Sequence, residues 1–175
     1  MKAVDVRNID DLKKVITNGE LPSYYLFWVG PMSQWHPSSF TVDGVKYLTA
    51  EHWMMAGKAR MFNDAMSEQQ ILMAKTPKEA KAIGRSVRGF DKDTWEENCF
   101  DLVVRGNIEK FSQSPRLMED LLSTEDVVLV EASPYDRIWG IGLSEKAPEA
   151  KDPFRWRGTN YLGFALMEAR AQLKK

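Results

Sequence analysis

Strand-forming residues occur in only a few short runs of this 175-residue chain, and helical patterns occupy most of the rest. Phe40–Val42 and Val45–Tyr47 flank the dipeptide Asp43-Gly44, which favours the positive φ angles of a tight hairpin turn. The other strand candidates are Tyr24–Val29 and Val127–Val130. Because these strands do not alternate regularly with helices, the sequence predicts an α+β fold, mostly helical around a few short strands, rather than a doubly wound sheet.

The composition argues against several classes of protein, namely strongly basic polyanion- or membrane-binding proteins, disulfide-linked proteins and Cys/His zinc proteins. With 24 Lys and Arg against 25 Asp and Glu, the net charge is -1, so no overall field attracts a polyanion or an anionic membrane. Phosphate recognition must therefore be local. The single cysteine, Cys99, excludes an internal disulfide, and the two histidines cannot complete a Cys/His zinc site with it. We predict one domain over residues 1–175, with no metal and no cofactor, in a reducing compartment.

Nothing in the sequence indicates a membrane protein. The amino-terminal residues MKAVDVRNIDDLKK mix charges with single apolar residues and lack the apolar core of a signal peptide. No window reaches the roughly 18 uninterrupted apolar residues of a membrane span. We therefore expect a soluble, cytoplasmic protein, whose oligomeric state the sequence does not predict.

Capping residues mark where the helices begin. The predicted starts are Asn8, Thr49, Ser67, Thr76, Asp93, Ser114 and Asn160, of which Ser67 and Thr76 each begin a capping box. Asn18 and Gly19 end the first helix, and Lys174 and Lys175 lie at the favourable carboxyl end of the last.

Glu51, Met55 and Lys58 follow Thr49 at positions i, i+4 and i+7, so their side chains share one helix face. Glu51 is in the first turn, where the helix dipole favours the anionic form of a carboxylate. An anionic carboxylate is what stabilises the positive charge that develops on a sugar during cleavage. The alternative is a solvated Glu–Lys face, which the spacing alone does not exclude.

The segment Ser133–Gly142 follows the last strand candidate and is expected to form a loop, a common place for binding residues. Asp136 can accept a hydrogen bond from a sugar hydroxyl, and the Trp139 ring can stack on a heterocycle. The alternative is a turn initiated by Asp136, with Trp139 in the core. The glycines here do not have the spacing of a phosphate-binding fingerprint.

Two basic segments are candidates for anion binding. The segment Trp156–Gly163 brings Arg157 and backbone amides to the start of the last helix, where an anion can bind. Asn160 belongs to this segment, and the alternative is that it is a plain helix cap. Arg85 and Arg88 either meet a phosphate or belong to an ordinary solvated face.

Four ordered segments together resemble the NADAR family of YbiA-like N-glycosidases. They are FTVDGVKYLTAEHWMMAGKA, KAIGRSVRGFDKDTW, LLSTEDVVLVEASPYDRIWGIGL and WRGTNYLGFALMEAR, and the resemblance runs from about Tyr25 to Arg170. It implies an α+β fold, hydrolysis of N-glycosidic bonds on ribose phosphates, and no required metal. The implied substrates are early riboflavin-pathway ribosylaminopyrimidine phosphates or ADP-ribose attached to guanine in nucleic acid.

The resemblance also assigns residues. The acidic motif position falls on Glu51, the motif lysine on Lys58, the Asp and Trp on Asp136 and Trp139, and the terminal motif includes Asn160. We expect Glu51 to orient and deprotonate water, Asp136 to hold the ribose and Trp139 to stack on the base. Lys58 has two candidate roles, a charge on the phosphate or an amine that captures C1 of the ribose as a Schiff base.

The chain departs from many family members at Phe27–Gly30, where they have a Ser-Asn-Phe turn. We expect this segment to shape the pocket, with Trp28 contacting substrate and Arg85 contributing to binding. The rival hypotheses are a non-catalytic module that binds ADP-ribose or a nucleotide, and a nucleic-acid-binding protein, which the charge balance argues against.

Overall fold

The computed structural model describes residues 6–174, which contain seven α-helices and four short strands. The strands are β1 (Tyr24–Phe27), β2 (Phe40–Val42), β3 (Val45–Tyr47) and β4 (Val128–Glu131). The helices are α1 (Ile9–Thr17), α2 (Ala50–Met61), α3 (Ala65–Met73), α4 (Pro77–Gly84), α5 (Lys92–Ser112), α6 (Pro115–Leu122) and α7 (Tyr161–Leu173). The predicted α+β class is confirmed. Lys175, predicted at the end of the last helix, lies outside the described residues.

The described residues form two compact units. One comprises residues 6–33 and 116–174, and the other comprises residues 34–115. A single domain over residues 1–175 therefore stays a prediction. Nowhere in residues 6–174 does a helix have both the length and the apolar composition that crossing a membrane requires.

In the first unit, β1 pairs with β4 in parallel, with Tyr24 opposite Val128 and Phe27 opposite Glu131. β4 is buried as far as Val130, and α7 packs against it. Because parallel neighbours end at the same edge, the segments that follow β1 and β4 start side by side.

β1 is shorter than the predicted run Tyr24–Val29. Its pairing with β4 ends at Phe27, and both Trp28 and Val29 are exposed. Gly30 then adopts a φ of 87°, which turns the chain. The apolar run is therefore a strand only where a neighbouring strand lies beside it.

The second unit is built around α2, which packs against α3, α4 and α5. Ala50 to Gly57 are all buried, so α2 has no solvated face over its first two turns. The predicted hairpin is confirmed: β2 and β3 pair antiparallel around Asp43 (φ 51°) and Gly44 (φ 79°). Both positive angles are those of the tight turn that the dipeptide favours.

The predicted caps at Asn8, Thr49 and Thr76 are confirmed, the last with a complete capping box. The capping box at Ser67 is wrong. α3 begins after Asp64, whose carboxylate accepts hydrogen bonds from the Ser67 amide and hydroxyl, so Ser67 lies inside the first turn. α5 likewise begins after Asp91 rather than at Asp93. In both places an aspartate upstream of the predicted start satisfies the free amides.

Candidate active site

Glu51 lies in the first turn of α2 and is only 4% exposed. The Thr49 hydroxyl oxygen caps this turn by accepting a hydrogen bond from the His52 amide, and the Glu51 amide donates to the Gln34 carbonyl at 3.0 Å. The alternative of a solvated Glu–Lys face is therefore wrong for Glu51. A carboxylate at the amino end of a helix is favoured in its anionic form by the helix dipole.

His52 and Cys99 are unsuited to nucleophilic chemistry. The His52 ring is buried, with Nδ1 2.8 Å from the Thr49 hydroxyl and Nε2 3.1 Å from the Ala74 carbonyl, and its burial lowers its pKa. Cys99 is also buried, which raises the pKa of its thiol to about 11.

Within residues 6–174, no group of three or more His, Cys, Asp or Glu side chains is placed to hold a metal ion.

Lys58 lies two turns after Glu51 on α2 and is half-buried against two aromatic rings. Its ammonium nitrogen is 4.2 Å from the Phe90 centroid and 5.5 Å from the Trp95 centroid. Burial lowers the pKa of Lys58 below its usual 10.5. Among the residues that the structure describes, Lys58 makes no ion pair with a carboxylate.

The aromatic neighbours of Lys58 were not anticipated as site residues. Phe90 and Trp95 lie in the stretch GRSVRGFDKDTW, within the second of the four family segments. Their place in that segment was the one sequence feature that could have indicated a role in the site. A cation between two rings is held in place without a carboxylate that would keep it protonated. The same environment therefore suits either an ammonium that binds an anion or an amine that loses its proton.

Arg85 lies exposed at the carboxyl end of α4, where its amide donates to the Lys81 carbonyl. Arg88 binds Asp64 at 2.9 Å, and this ion pair holds the pKa of the Asp64 carboxyl well below its usual range. Arg88 is thus already engaged by a protein carboxylate. A substrate contact for Arg85 stays a prediction.

Asp136 organises the loop after β4. One of its carboxylate oxygens accepts hydrogen bonds from the Ile138 amide at 2.9 Å and the Trp139 amide at 2.7 Å, as in the turn that was the alternative interpretation. Asp136 and Trp139 are nevertheless half-buried rather than in the core. The Trp139 ring packs against Tyr161 in a T-shaped arrangement with 5.8 Å between centroids, and the side chain is partly exposed.

Trp28 and Tyr135 form an exposed aromatic pair, with centroids 6.0 Å apart and planes tilted by 46°. The exposed fractions are 50% for Trp28 and 84% for Tyr135. Trp28 directly follows β1, and Tyr135 lies in the loop that follows β4. The parallel pairing of these strands brings the two rings together at one edge.

Asn160 precedes α7 in a left-handed conformation with a φ of 55°, and it is fully buried. Its side chain does not cap α7, so that prediction is wrong. Instead, its amide nitrogen donates to the Leu129 carbonyl and its amide oxygen accepts from the Glu131 amide, both at 2.9 Å. Asn160 therefore ties the start of α7 to β4, which positions the Asp136 loop.

The sequence profile of the NADAR domain matches residues 26–174. The N-glycosidase R617 of Acanthamoeba polyphaga mimivirus is 41% identical over 145 residues, covering 80% of this chain and 85% of the relative. The chloroplastic riboflavin biosynthesis protein PYRR of Zea mays is 34% identical, and this match covers 86% of this chain but only 25% of that protein. The NMR structure of the E. coli protein YbiA matches with a TM-score of 0.72 and 27% identity, covering 89% of this chain and 87% of that one.

These comparisons agree with the resemblance that the four sequence segments carry. The likeness to YbiA confirms the α+β fold, and the relatives' names confirm the expected enzyme class, an N-glycosidase. The matched residues include both α2 and the loop that carries Asp136 and Trp139. This chain belongs to the NADAR family.

Proposed function

We propose that this protein hydrolyses the N-glycosidic bond of ribose-phosphate conjugates, such as the early ribosylaminopyrimidine phosphates of the riboflavin pathway. The name of the mimivirus relative supports the bond type. The riboflavin biosynthesis name of the maize relative supports the substrate class, although this chain spans only 25% of that protein.

The observation that carries the proposal is the buried carboxylate of Glu51 at the amino end of α2. Cleavage of an N-glycosidic bond passes through a cationic, oxocarbenium-like state, which a nearby carboxylate stabilises. In the route by water alone, Glu51 takes a proton from water and the water oxygen bonds to C1. The bond from C1 to the base nitrogen breaks as that nitrogen takes up a proton from solvent, which releases free base and ribose phosphate, and Glu51 then returns its proton to solvent.

Lys58 acts near C1 in the route that we favour. Its neutral amine bonds to C1 as the bond from C1 to the base nitrogen breaks, and the amine loses one proton while the leaving nitrogen gains one. The sugar ring then opens as the second amine proton passes through solvent to the ring oxygen, and water hydrolyses the resulting imine to return the amine. The lowered pKa of Lys58 supports this role because it increases the fraction of neutral amine near neutral pH. In the other route, the ammonium binds the phosphate as a point charge.

Asp136 and Trp139 supply substrate contacts. One oxygen of Asp136 accepts the two loop amides, and we assign a ribose hydroxyl as a further donor to the same carboxylate, since a carboxylate has roughly four acceptor sites. The Trp139 ring is half-buried, and we assign it to stacking on the base.

A second candidate is removal of ADP-ribose from guanine in nucleic acid, which the exposed pair Trp28 and Tyr135 favours. Unstacked bases bind to such exposed rings. A non-catalytic module that binds ADP-ribose or a nucleotide would use the same rings without turnover. The rate of base release separates an enzyme from such a module.

The test incubates the purified protein with ribosylaminopyrimidine phosphate, other N-ribosides and ADP-ribosylated guanine in DNA, and measures released base. We expect release from the ribosylaminopyrimidine phosphate, and its loss in Glu51→Gln at an unchanged melting temperature. Glu97→Gln, which alters an exposed carboxylate on α5, is the matched control. Turnover by Glu51→Gln at the parental rate would refute the role of Glu51, and no release from any substrate would refute the activity.

A further inference from the structure

Two exposed arginines, Arg137 and Arg157, lie on a pair of segments joined by backbone hydrogen bonds, residues 136–142 and 157–162. The Arg157 amide donates to the Ile141 carbonyl at 2.9 Å, and the Thr159 amide donates to the Arg137 carbonyl at 3.0 Å. Both arginines are thus attached to fixed backbone, although their side chains reach the solvent.

Close packing of glycines adds to the rigidity of these segments. A methyl group in place of a Gly158 hydrogen would lie 2.7 Å from Arg137 Cα and closer still to the Gly140 carbonyl oxygen. The backbones therefore touch where any side chain would separate them. Further bonds run from the Asn160 amide to the Gly140 carbonyl and from the Leu162 amide to the Trp139 carbonyl.

The stems of both arginine side chains lie next to Gly142. A methyl group at Gly142, whose φ is 67°, would lie 3.0 Å from Arg157 Cβ and 3.1 Å from Arg137 Cγ. The stems of Arg137 and Arg157 are therefore neighbours.

Neither guanidinium group has a counter-charge among the residues that the structure describes. Within residues 6–174, neither Arg137 nor Arg157 makes a side-chain hydrogen bond, an ion pair or a contact with an aromatic ring. Nearby Arg155, by contrast, is paired with Glu149 at 3.1 Å. Two positive charges on one rigid platform, with no protein counter-charge in this part of the chain, are available to a bound dianion.

We infer that Arg137 and Arg157 form a clamp for the phosphate group of the ribose-phosphate substrate. Guanidinium groups bind phosphate oxygens through paired, charge-assisted hydrogen bonds. The same platform carries Asp136 and Trp139, to which the ribose and the base are assigned. The inference rests on the proposed function, because it takes the ribose phosphate from it.

The kinetic test compares kcat/KM for ribosylaminopyrimidine phosphate and for its dephosphorylated form. Arg137→Gln and Arg157→Gln are each expected to lower the value for the phosphorylated substrate about tenfold or more, the loss of one bidentate contact. The value for the dephosphorylated substrate should stay unchanged. Arg116→Gln, an exposed arginine on α6, removes the same charge elsewhere and should leave both values at the parental level. Equal loss on both substrates, or no loss, would overturn the clamp.

Calorimetry with ribose 5-phosphate tests the clamp without turnover. The parent is expected to bind this ligand about tenfold or more tightly than either single variant, and inorganic phosphate should compete with it. Equal affinity of the parent and the Arg137→Gln, Arg157→Gln double variant, or no binding by the parent, would refute the clamp. If the parent binds ribose 5-phosphate through these arginines but releases no base, the proposed function fails and the clamp stands. A preference for DNA oligonucleotides over ribose 5-phosphate would instead reject the small phosphorylated riboside as the ligand.

Discussion

The ammonium nitrogen of Lys58 lies 4.2 Å from the centroid of the Phe90 ring. The ring face stabilises the charged form of the amine, whereas burial lowers the pKa of Lys58 and so favours the neutral form. A charged Lys58 would hold a phosphate, and a neutral Lys58 would attack C1. The balance between these two effects decides which role Lys58 has, and a chemical trapping experiment distinguishes the two roles.

Borohydride added during turnover is expected to trap ribose phosphate on Lys58, because it reduces the imine between the amine and C1 to a stable secondary amine. Lys58→Arg keeps the charge but not the nucleophile, so it should abolish base release. Mass spectrometry of the treated protein locates the adduct, and Lys78→Arg, an exposed lysine of α4, is the control. An unmodified Lys58 together with residual activity in Lys58→Arg would eliminate the covalent route and leave attack by water.

Replacement of Trp139 by alanine is expected to raise KM by about tenfold with little change in kcat. A stacked ring contributes roughly 1–3 kcal/mol per base, and it contacts the ground state and the transition state about equally. Trp139→Phe keeps a ring and should recover most of the affinity. A collapse of kcat at constant KM would contradict this role, provided that near-ultraviolet circular dichroism shows an intact core.

Protonation of His52 is expected to destabilise the protein below about pH 6.5. The pKa of His52 is lowered in the folded state by burial, so the unfolded chain binds the proton first as the pH falls. Its contribution is therefore complete above the unfolded pKa and is lost as the pH drops towards the folded one. One proton corresponds to a slope of at most about 1.4 kcal/mol per pH unit.

Urea titrations at several pH values between 8 and 5 measure this slope. His52→Gln should flatten it, whereas His36→Gln, at the only other histidine of the chain, should retain it. An identical slope in the parent and in His52→Gln would assign the pH dependence to other groups.

The buried amides of Gln34 and Asn107 are expected to couple in stability. Asn107 donates to Gln34 Oε1 at 3.1 Å, yet Gln34 Nε2 and Asn107 Oδ1 have no hydrogen-bond partner within residues 6–174. Asn107→Leu removes the hydrogen bond to Gln34 and leaves both Oε1 and Nε2 of this buried side chain unsatisfied, which should cost about 1–3 kcal/mol in the free energy of unfolding. Gln34→Met added to it removes the stranded groups and should restore most of the loss. Additive losses in a double-mutant cycle would show that the two amides act independently.

Local sequence signals predicted most of the helix and turn boundaries. The Thr49 cap, the capping box at Thr76 and the Asp43-Gly44 turn depend on residues within a few positions of each other, so their effect does not need the rest of the fold. The errors at Ser67 and Asp93 have the same origin, since Asp64 and Asp91 compete as caps a few residues upstream. When two capping residues lie a few positions apart, the local sequence does not show which of them begins the helix.

The surroundings of the candidate site residues could not be predicted from the local sequence. The sequence left Glu51 either in a site or on a solvated face, and its burial follows from the packing of α3, α4 and α5 around α2. Phe90 reaches Lys58 from 32 positions further along the chain. No pattern within α2 contains that contact.

The sequence by itself determined the helices, the hairpin and the family, because capping, turn preference and ordered motifs are properties of contiguous residues. Tertiary structure alone decided what surrounds the candidate residues. It turned Asn160 from a predicted cap into a buried tie between β4 and α7, and it set Arg137 beside Arg157 next to Gly142. Burial and charge pairing depend on segments that meet only after folding, and those two quantities set the pKa of an amine and the anion affinity of an arginine.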